Sequence, residues 1–174
     1  MRRNLLFLPI LTLFALAGCA AYQLGNQTLY PAHIETVYVP MIESESFRRN
    51  LGERLTEAVM KEIELRTPYK VTHNPNADSV LRCRLVSDRK RVVVPGITGD
   101  PTQLQVTLQV EVSWVDRRGS TLRAMEPVPL PSEVASVSGD AKLTPEVGQS
   151  VATAQQEAIG RLAQQIVGMM EKPW

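Results

Sequence analysis

Apolar and polar residues alternate along the middle of the chain and recur at helical spacing on either side of it. The clearest alternation runs from residue 103 to residue 114. A period of two predicts a strand with one face in the core and the other in water. We interpret the final tryptophan of this run as a core residue. The apolar face consists of Leu104, Val106, Leu108, Val110, Val112 and Trp114, and the polar face of Gln103, Gln105, Thr107, Gln109, Glu111 and Ser113.

Further strands are predicted before and after this one. Residues 34–39 and 69–72 are rich in β-branched and aromatic side chains. Residues 79–94 indicate a long strand whose alternation changes phase in the middle, which predicts a bulge or a strand that leaves the sheet. Residues 120–125 predict another strand, and residues 134–137 a brief pairing. The prolines between these last two segments exclude a central strand there.

Two amphipathic helices flank the strands. Apolar residues at steps of three and four predict a first helix from Phe47 to about Arg66. Thr144 and Pro145 suit the start of a second helix, which runs to about Glu171. The order of these elements predicts an α+β fold, a two-layer sandwich in which a mixed β-sheet carries both helices on one face. The other sheet face is expected to be polar and open.

The N-terminus reads as an export signal. Arg2 and Arg3 precede an apolar run over residues 5–17, which is shorter than the ~20 residues of a membrane-spanning helix. The run ends in Leu16-Ala17-Gly18-Cys19, an order that resembles the bacterial lipobox. That resemblance implies cleavage before Cys19 and acylation of this cysteine, which becomes the first residue of an exported lipoprotein.

The predicted organisation is a signal peptide over residues 1–18, a lipidated tether over 19–32 and one domain over 33–172. Ala20 follows the cysteine, whereas Asp at this place retains many Gram-negative lipoproteins in the inner membrane. This resemblance implies attachment to the outer membrane, facing the periplasm.

Charge and cysteine content narrow the function classes. The chain has 19 basic and 18 acidic residues, so loss of Arg2 and Arg3 leaves 17 against 18, a net charge of −1. The protein is therefore not a globally cationic nucleic-acid binder. Cys83 is predicted to be a buried strand residue, and His33 and His73 lie too far apart for a zinc site.

One dense basic cluster lies on the long strand and the following hairpin. Its cations suit phosphate groups or a partner surface, and they equally suit the protection of a sheet edge from aggregation. The candidate contact residues are Arg82, Arg84, Arg89, Lys90, Arg91, Arg117 and Arg118. No catalytic set of Ser, His, Cys or paired acids can be assembled, so an enzyme is not expected.

Together, the lipobox, the short tether with Tyr22-Gln23-Leu24 and the predicted domain resemble the LptE family of lipopolysaccharide-assembly lipoproteins. The resemblance rests on Leu29-Tyr30-Pro31, Val37-Tyr38-Val39-Pro40 and the helix from Phe47 to Arg66, and it is nearest to planctomycete-like members. It implies a non-enzymatic protein that stabilises and plugs an LptD-like outer-membrane β-barrel and contacts lipopolysaccharide. It implies no cofactor beyond the lipid on Cys19.

Two other classes stay open from the sequence. One is a periplasmic lipoprotein that activates a cell-wall synthase by contact, and the other is an unrecognised hydrolase. The proteins that co-purify would distinguish the first from an assembly protein, and turnover by the isolated domain would reveal the second.

Overall fold

A computed structural model describes residues 29–96, 101–119, 121–123 and 135–171. The predicted signal peptide, Cys19 and most of the tether lie outside these residues, as does Trp174. The strands are β1 (Thr36–Tyr38), β2 (Glu43–Ser44), β3 (Lys70–Thr72), β4 (Ser79–Pro95), β5 (Pro101–Asp116), β6 (Thr121–Arg123) and β7 (Ala135–Leu143). The helices are α1 (Leu51–Arg66) and α2 (Val151–Gly168), with a 3-10 turn at Pro145–Val147.

Within the described residues, seven strands form one mixed sheet in the order β3-β1-β4-β5, with β6 and β7 both on the far edge of β5. Strand β1 is parallel to β3 and β4, and β2 is also parallel to β4. The long β4–β5 hairpin and the β5–β7 pair are antiparallel. The predicted α+β architecture is confirmed.

Both helices cover one face of this sheet. The six apolar residues predicted to face the core on β5 are all buried there, including Trp114. From the helix side, Leu55, Val59 and Ile63 of α1 meet Leu162 and Ile166 of α2 in the same core. Cys83 is buried among them, and burial raises the pKa of its thiol to about 12, so it stays protonated.

The start of each helix differs from the sequence prediction. The chain makes a turn over residues 46–50, where Asn50 adopts a left-handed φ of 65°, so α1 begins at Leu51 and Phe47 is left exposed. The predicted start of the final helix at Thr144 is also wrong. Gly148, with a φ of 80°, closes a separate 3-10 turn, and α2 begins only after Ser150.

The C-terminal strands differ in length from their predictions. The pairing predicted over residues 134–137 is the start of the nine-residue strand β7, which pairs with β5 from Val112 back to Leu104. Strand β6 occupies only Thr121–Arg123 of the predicted 120–125 segment. Residues 124–134, with the three prolines, lie outside the described residues.

Candidate functional site

The open face of the sheet is polar and carries the arginines of β4. Arg82 pairs across the hairpin with Ser113, Arg84 with Glu111, Arg89 with Thr107 and Arg91 with Gln105. These partners all belong to the polar side of β5, so the four guanidinium groups start from one face of the sheet.

A β-bulge brings these four arginines together. The register between β4 and β5 shifts between Leu85 and Ser87, so Val86 is an extra residue. Before the bulge the even-numbered residues of β4 face outward, and after it the odd-numbered ones do. Without the shift, Arg89 and Arg91 would lie on the helix-covered side. Lys90 and Asp88 lie on that side instead, opposite Val106 and Leu108.

Arg84 is already neutralised by two carboxylates. Its Nη2 lies 3.0 Å from Oε2 of Glu111, and its Nη1 lies 3.4 Å from Oε1 of Glu45. The hydrogen bond and charge of Glu111, followed by the charge of Glu45, raise the pKa of the Arg84 guanidinium. This arginine therefore links Glu45, which directly follows β2, to Glu111 of β5 across β4.

Arg91 is held by a neutral amide. Its Nε and Nη2 donate to Oε1 of Gln105 at 3.1 and 2.9 Å, and Gln105 Nε2 donates to Oδ2 of Asp140 at 2.8 Å. The guanidinium is thus oriented across the strands without a direct ion pair.

The other three cations of β4 are available to a ligand. Arg82, Arg89 and Lys90 are exposed, and none of their side chains forms a hydrogen bond or ion pair with another described residue. An exposed arginine without a protein carboxylate offers its full fork of donors to a phosphate or carboxylate.

The structure separates Arg117 and Arg118 from Arg89, Lys90 and Arg91, whereas Arg82 lies only three residues from the base of the hairpin. Ser79 pairs with Asp116 at the base of the hairpin, whereas Arg91 pairs with Gln105 twelve residues further along β4. At ~3.3 Å per residue this is a separation of about 40 Å. Arg117 is instead structural: its Nη2 donates to the Asn76 carbonyl at 2.7 Å and lies 3.2 Å from Asp78 Oδ1.

A groove beside Arg82 adds a second feature that the sequence did not indicate. Strands β1 and β2 both pair with β4, but the chain between them leaves the sheet opposite residues 81–83. The resulting cavity has a volume of about 380 Å³, within the range of small-ligand sites. Its lining residues are Pro40, Met41, Glu43, Arg82, Cys83, Arg84, Glu111 and Ser113. Pro40 cannot donate a backbone hydrogen bond to a neighbouring strand, so it is the sequence feature that could have indicated this break between β1 and β2.

The described residues contain no candidate metal site and no candidate membrane-spanning helix. No group of three or more His, Cys, Asp or Glu side chains there is arranged to hold a metal ion. No helix in this part of the chain combines the length and apolar character needed to cross a bilayer.

Comparison with known proteins identifies the family. The sequence profile of LptE, described as lipopolysaccharide-assembly, matches residues 34–170. The chain belongs to the LptE family. The description of this family concerns assembly and not catalysis. No functionally curated protein matches the chain.

Solved structures share the fold of this LptE-family chain at low sequence identity. A PelC dodecamer from Paraburkholderia phytofirmans has a TM-score of 0.52 at 12% identity, covering 82% of this chain and 93% of that chain. The solution NMR structure of the uncharacterized lipoprotein B from Nitrosomonas europaea has a TM-score of 0.52 at 13% identity, covering 85% of this chain and 91% of that chain. These likenesses concern the fold.

Proposed function

We propose that this LptE-family protein is an outer-membrane lipoprotein, acylated at Cys19, that acts in lipopolysaccharide assembly. In this proposal it faces the periplasm, stabilises and plugs an LptD-like β-barrel, and contacts lipopolysaccharide during its insertion into the outer leaflet. The observation that carries the proposal is the row of β4 arginines that the bulge collects on the open polar face.

The chemistry of this face supports both proposed contacts. Lipopolysaccharide carries phosphate groups, and arginine is well suited to bind phosphate through paired donors. The interior of a large outer-membrane barrel is polar. A sheet face of Gln, Thr, Ser and Arg side chains can therefore lie against that interior with polar groups on both sides of the contact.

The available cations define the expected contact residues. Arg82, Arg89 and Arg91 can bind a phosphate on the open face, because among the arginines of β4 only Arg84 is paired with carboxylates. Lys90 lies on the opposite face and is not expected to join that contact. Arg117 and Arg118, at the other end of the hairpin from Arg89 and Arg91, are not expected to take part in a contact made by those two arginines.

A charge-reversal experiment tests this assignment. Arg89→Glu and Arg91→Glu should each weaken lipopolysaccharide or barrel binding by about tenfold, which corresponds to the loss of roughly one charge-assisted hydrogen bond. The matched control is Lys70→Glu, the same charge change on edge strand β3. Binding and melting curves that are both unchanged in the two arginine variants would contradict the assignment.

A mild-detergent pull-down of tagged protein, followed by mass spectrometry, tests the proposed partner. We expect a large LptD-like barrel at near-equal stoichiometry and an acylated Cys19 in the N-terminal peptide. Recovery of a cell-wall synthase without any barrel would instead favour the regulator that the sequence left open.

A further inference from the structure

The end of β4 is apolar on both faces. Val92, Val93 and Val94 are consecutive, and all three are exposed, at 52%, 37% and 44%. Val92 pairs with Leu104 on the helix-covered side, and Val94 pairs with Gln103 on the open side. Val93 is an extra residue at a second β-bulge between them, so the three valines leave apolar side chains on each side of the hairpin. Closer to the body of the sheet, the same hairpin has one buried apolar face and one polar face.

A band of positive charge directly precedes these valines, again on both faces. Arg89 and Arg91 lie on the open face, whereas Lys90 lies on the opposite face. The nearby Asp88 does not neutralise them, because its side chain is 4% exposed and its Oδ2 lies 2.8 Å from Arg48 Nε. The charges lie ~3–17 Å along the strand from the valines.

This arrangement matches the layers of a bilayer surface. A segment bound at such an interface buries apolar side chains about 5–10 Å deep, at the boundary of headgroups and acyl chains, while Lys and Arg remain with anionic headgroups. The polar wall of a barrel lumen would match only one face of this hairpin. Gln103, which pairs with Val94, is polar and confines the insertion to this shallow depth.

We propose that residues 89–95, here named the hairpin end, insert into the surface of a bilayer that contains anionic phospholipid. The valines enter the acyl boundary, and Arg89, Lys90 and Arg91 contact the lipid phosphates. This membrane contact goes beyond the proposed function and does not depend on lipopolysaccharide. It would hold the domain at the surface in which a barrel partner is embedded.

An environment-sensitive fluorophore attached at Val93→Cys tests the proposal in the full mature protein. Cys83 is buried and stays a protonated thiol, so labelling is directed to the new cysteine. The probe is observed with vesicles of phosphatidylcholine alone and with vesicles that also contain phosphatidylglycerol, both free of lipopolysaccharide. The control label is at Arg118→Cys, at the other end of the hairpin.

We expect a blue shift and quenching by acyl-chain spin labels at position 93 with the anionic vesicles, and neither at position 118. Combining the label with Arg89→Gln and Arg91→Gln should weaken the vesicle interaction by about 30-fold, because each basic residue near an anionic surface strengthens binding by roughly fivefold. A second variant, with Ser at Val92 and Val94, should reduce the shift while leaving the circular dichroism unchanged.

Three results would overturn the proposal. One is no shift with anionic vesicles, and another is a shift that the Gln substitutions do not change. The third is a concentration-dependent shift without vesicles, which would show that the valines pair with a second copy of the chain. Since these vesicles contain no lipopolysaccharide, none of these results would contradict the proposed assembly function, which the binding and pull-down experiments test separately.

Discussion

At the scale of single residues, Gly139 marks a close approach of α2 to the sheet. A Cβ at this position would lie 2.6 Å from Leu162 Cγ and 2.7 Å from the Ala158 carbonyl oxygen. The backbone oxygen cannot rotate away, so any larger residue must displace the helix from β7. The glycine therefore sets the distance between the two layers.

We predict that Gly139→Ala lowers the free energy of unfolding by about 1–3 kcal/mol, through overpacking between β7 and α2. Gly160→Ala is the matched control, because apart from the adjacent residues and the nearby backbone of its own helix no described atom lies within 4 Å of its added Cβ. In a helix interior that exchange should be neutral or stabilising by up to about 1 kcal/mol. Urea unfolding of both variants measures the contrast, and equal effects would contradict it.

A second residue, Asp78, connects the start of β4 to β1. Its Oδ2 accepts hydrogen bonds from Thr36 Oγ1 at 2.8 Å and from the Thr36 amide at 3.0 Å. These bonds, the side-chain bond first, together with the nearby Arg117, lower the pKa of the Asp78 carboxyl despite an opposing effect of desolvation. The charged form is therefore the one that stabilises the folded state.

We predict that Asp78→Asn destabilises the protein at pH 7 and that the difference from the parent shrinks below pH ~4. A carboxyl whose folded pKa is lowered stabilises above its unfolded pKa of about 3.9 and loses this contribution as the pH falls through its folded pKa. Unfolding free energies at several pH values check this. A difference that stays constant down to acidic pH would contradict it.

At the scale of elements, the beginning of α2 shows where local chemistry decides a boundary. Ser150 Oγ accepts a hydrogen bond from the Thr153 amide at 3.2 Å and caps the helix. Thr144, which precedes Pro145 and so has the sequence of a helix start, makes no such side-chain bond. Val147, which lies within the helix predicted to start at Thr144, is consequently exposed.

We predict that Ser150→Ala costs about 1 kcal/mol of stability, the usual value of a lost N-cap. Thr144→Ala is the comparison, and it should change stability much less because its hydroxyl caps no helix. Thermal unfolding followed by circular dichroism distinguishes the two. A larger loss of stability for Thr144→Ala than for Ser150→Ala would contradict this and would indicate that the helix begins at Thr144, as the sequence predicted.

The same elements show what the sequence could and could not predict. The strict alternation of β5 and the three-four spacing of α1 are local patterns, and they identified the core face and the fold class. The length of β7 depends on distant contacts, since β7 gains its pairing from β5 and its close packing from α2. Small residues such as Ser136, Ser138 and Gly139 have no strong strand preference of their own.

The candidate site was predictable in its residues but not in its geometry. The sequence indicated the basic residues and a possible bulge, yet only the register shows that Val86 is the extra residue and that Lys90 faces away from Arg89 and Arg91. Likewise, the distance of Arg117 from Arg89 and Arg91 follows from the strand pairing. The groove beside Arg82 depends on where the chain between β1 and β2 leaves the sheet.

At the scale of the whole molecule, the two ends of the sheet differ in character. The described chain begins beside the base of the hairpin, where the ring of Tyr30 lies 5.6 Å from that of Tyr69, and Tyr69 lies 6.0 Å from Trp114. The hairpin end, where Val94 pairs with Gln103, is eleven residues along β5 from Trp114. This corresponds to about 36 Å.

That separation makes the proposed lipid at Cys19 and the hairpin end two attachment points on one body. Anchoring turns the second contact into an intramolecular one, with an effective concentration in the millimolar range for a short flexible connection. We therefore predict that Cys19→Ser raises the vesicle concentration needed for the blue shift at position 93 by at least about tenfold. An unchanged titration would show that the hairpin end binds without help from the anchor.

Attachment through the base of the hairpin, where the described chain begins, and through the hairpin end about 36 Å away also restricts orientation. A body held only by an N-terminal lipid can swing through most angles, whereas one held at both ends of its long hairpin lies along the bilayer and can only roll about that axis. Rolling decides whether the arginine face or the helices turn toward the membrane. The length of β4 and β5 would thus keep the protein lying along the bilayer, and rotation about this long axis would determine which face contacts a neighbour embedded in the same bilayer.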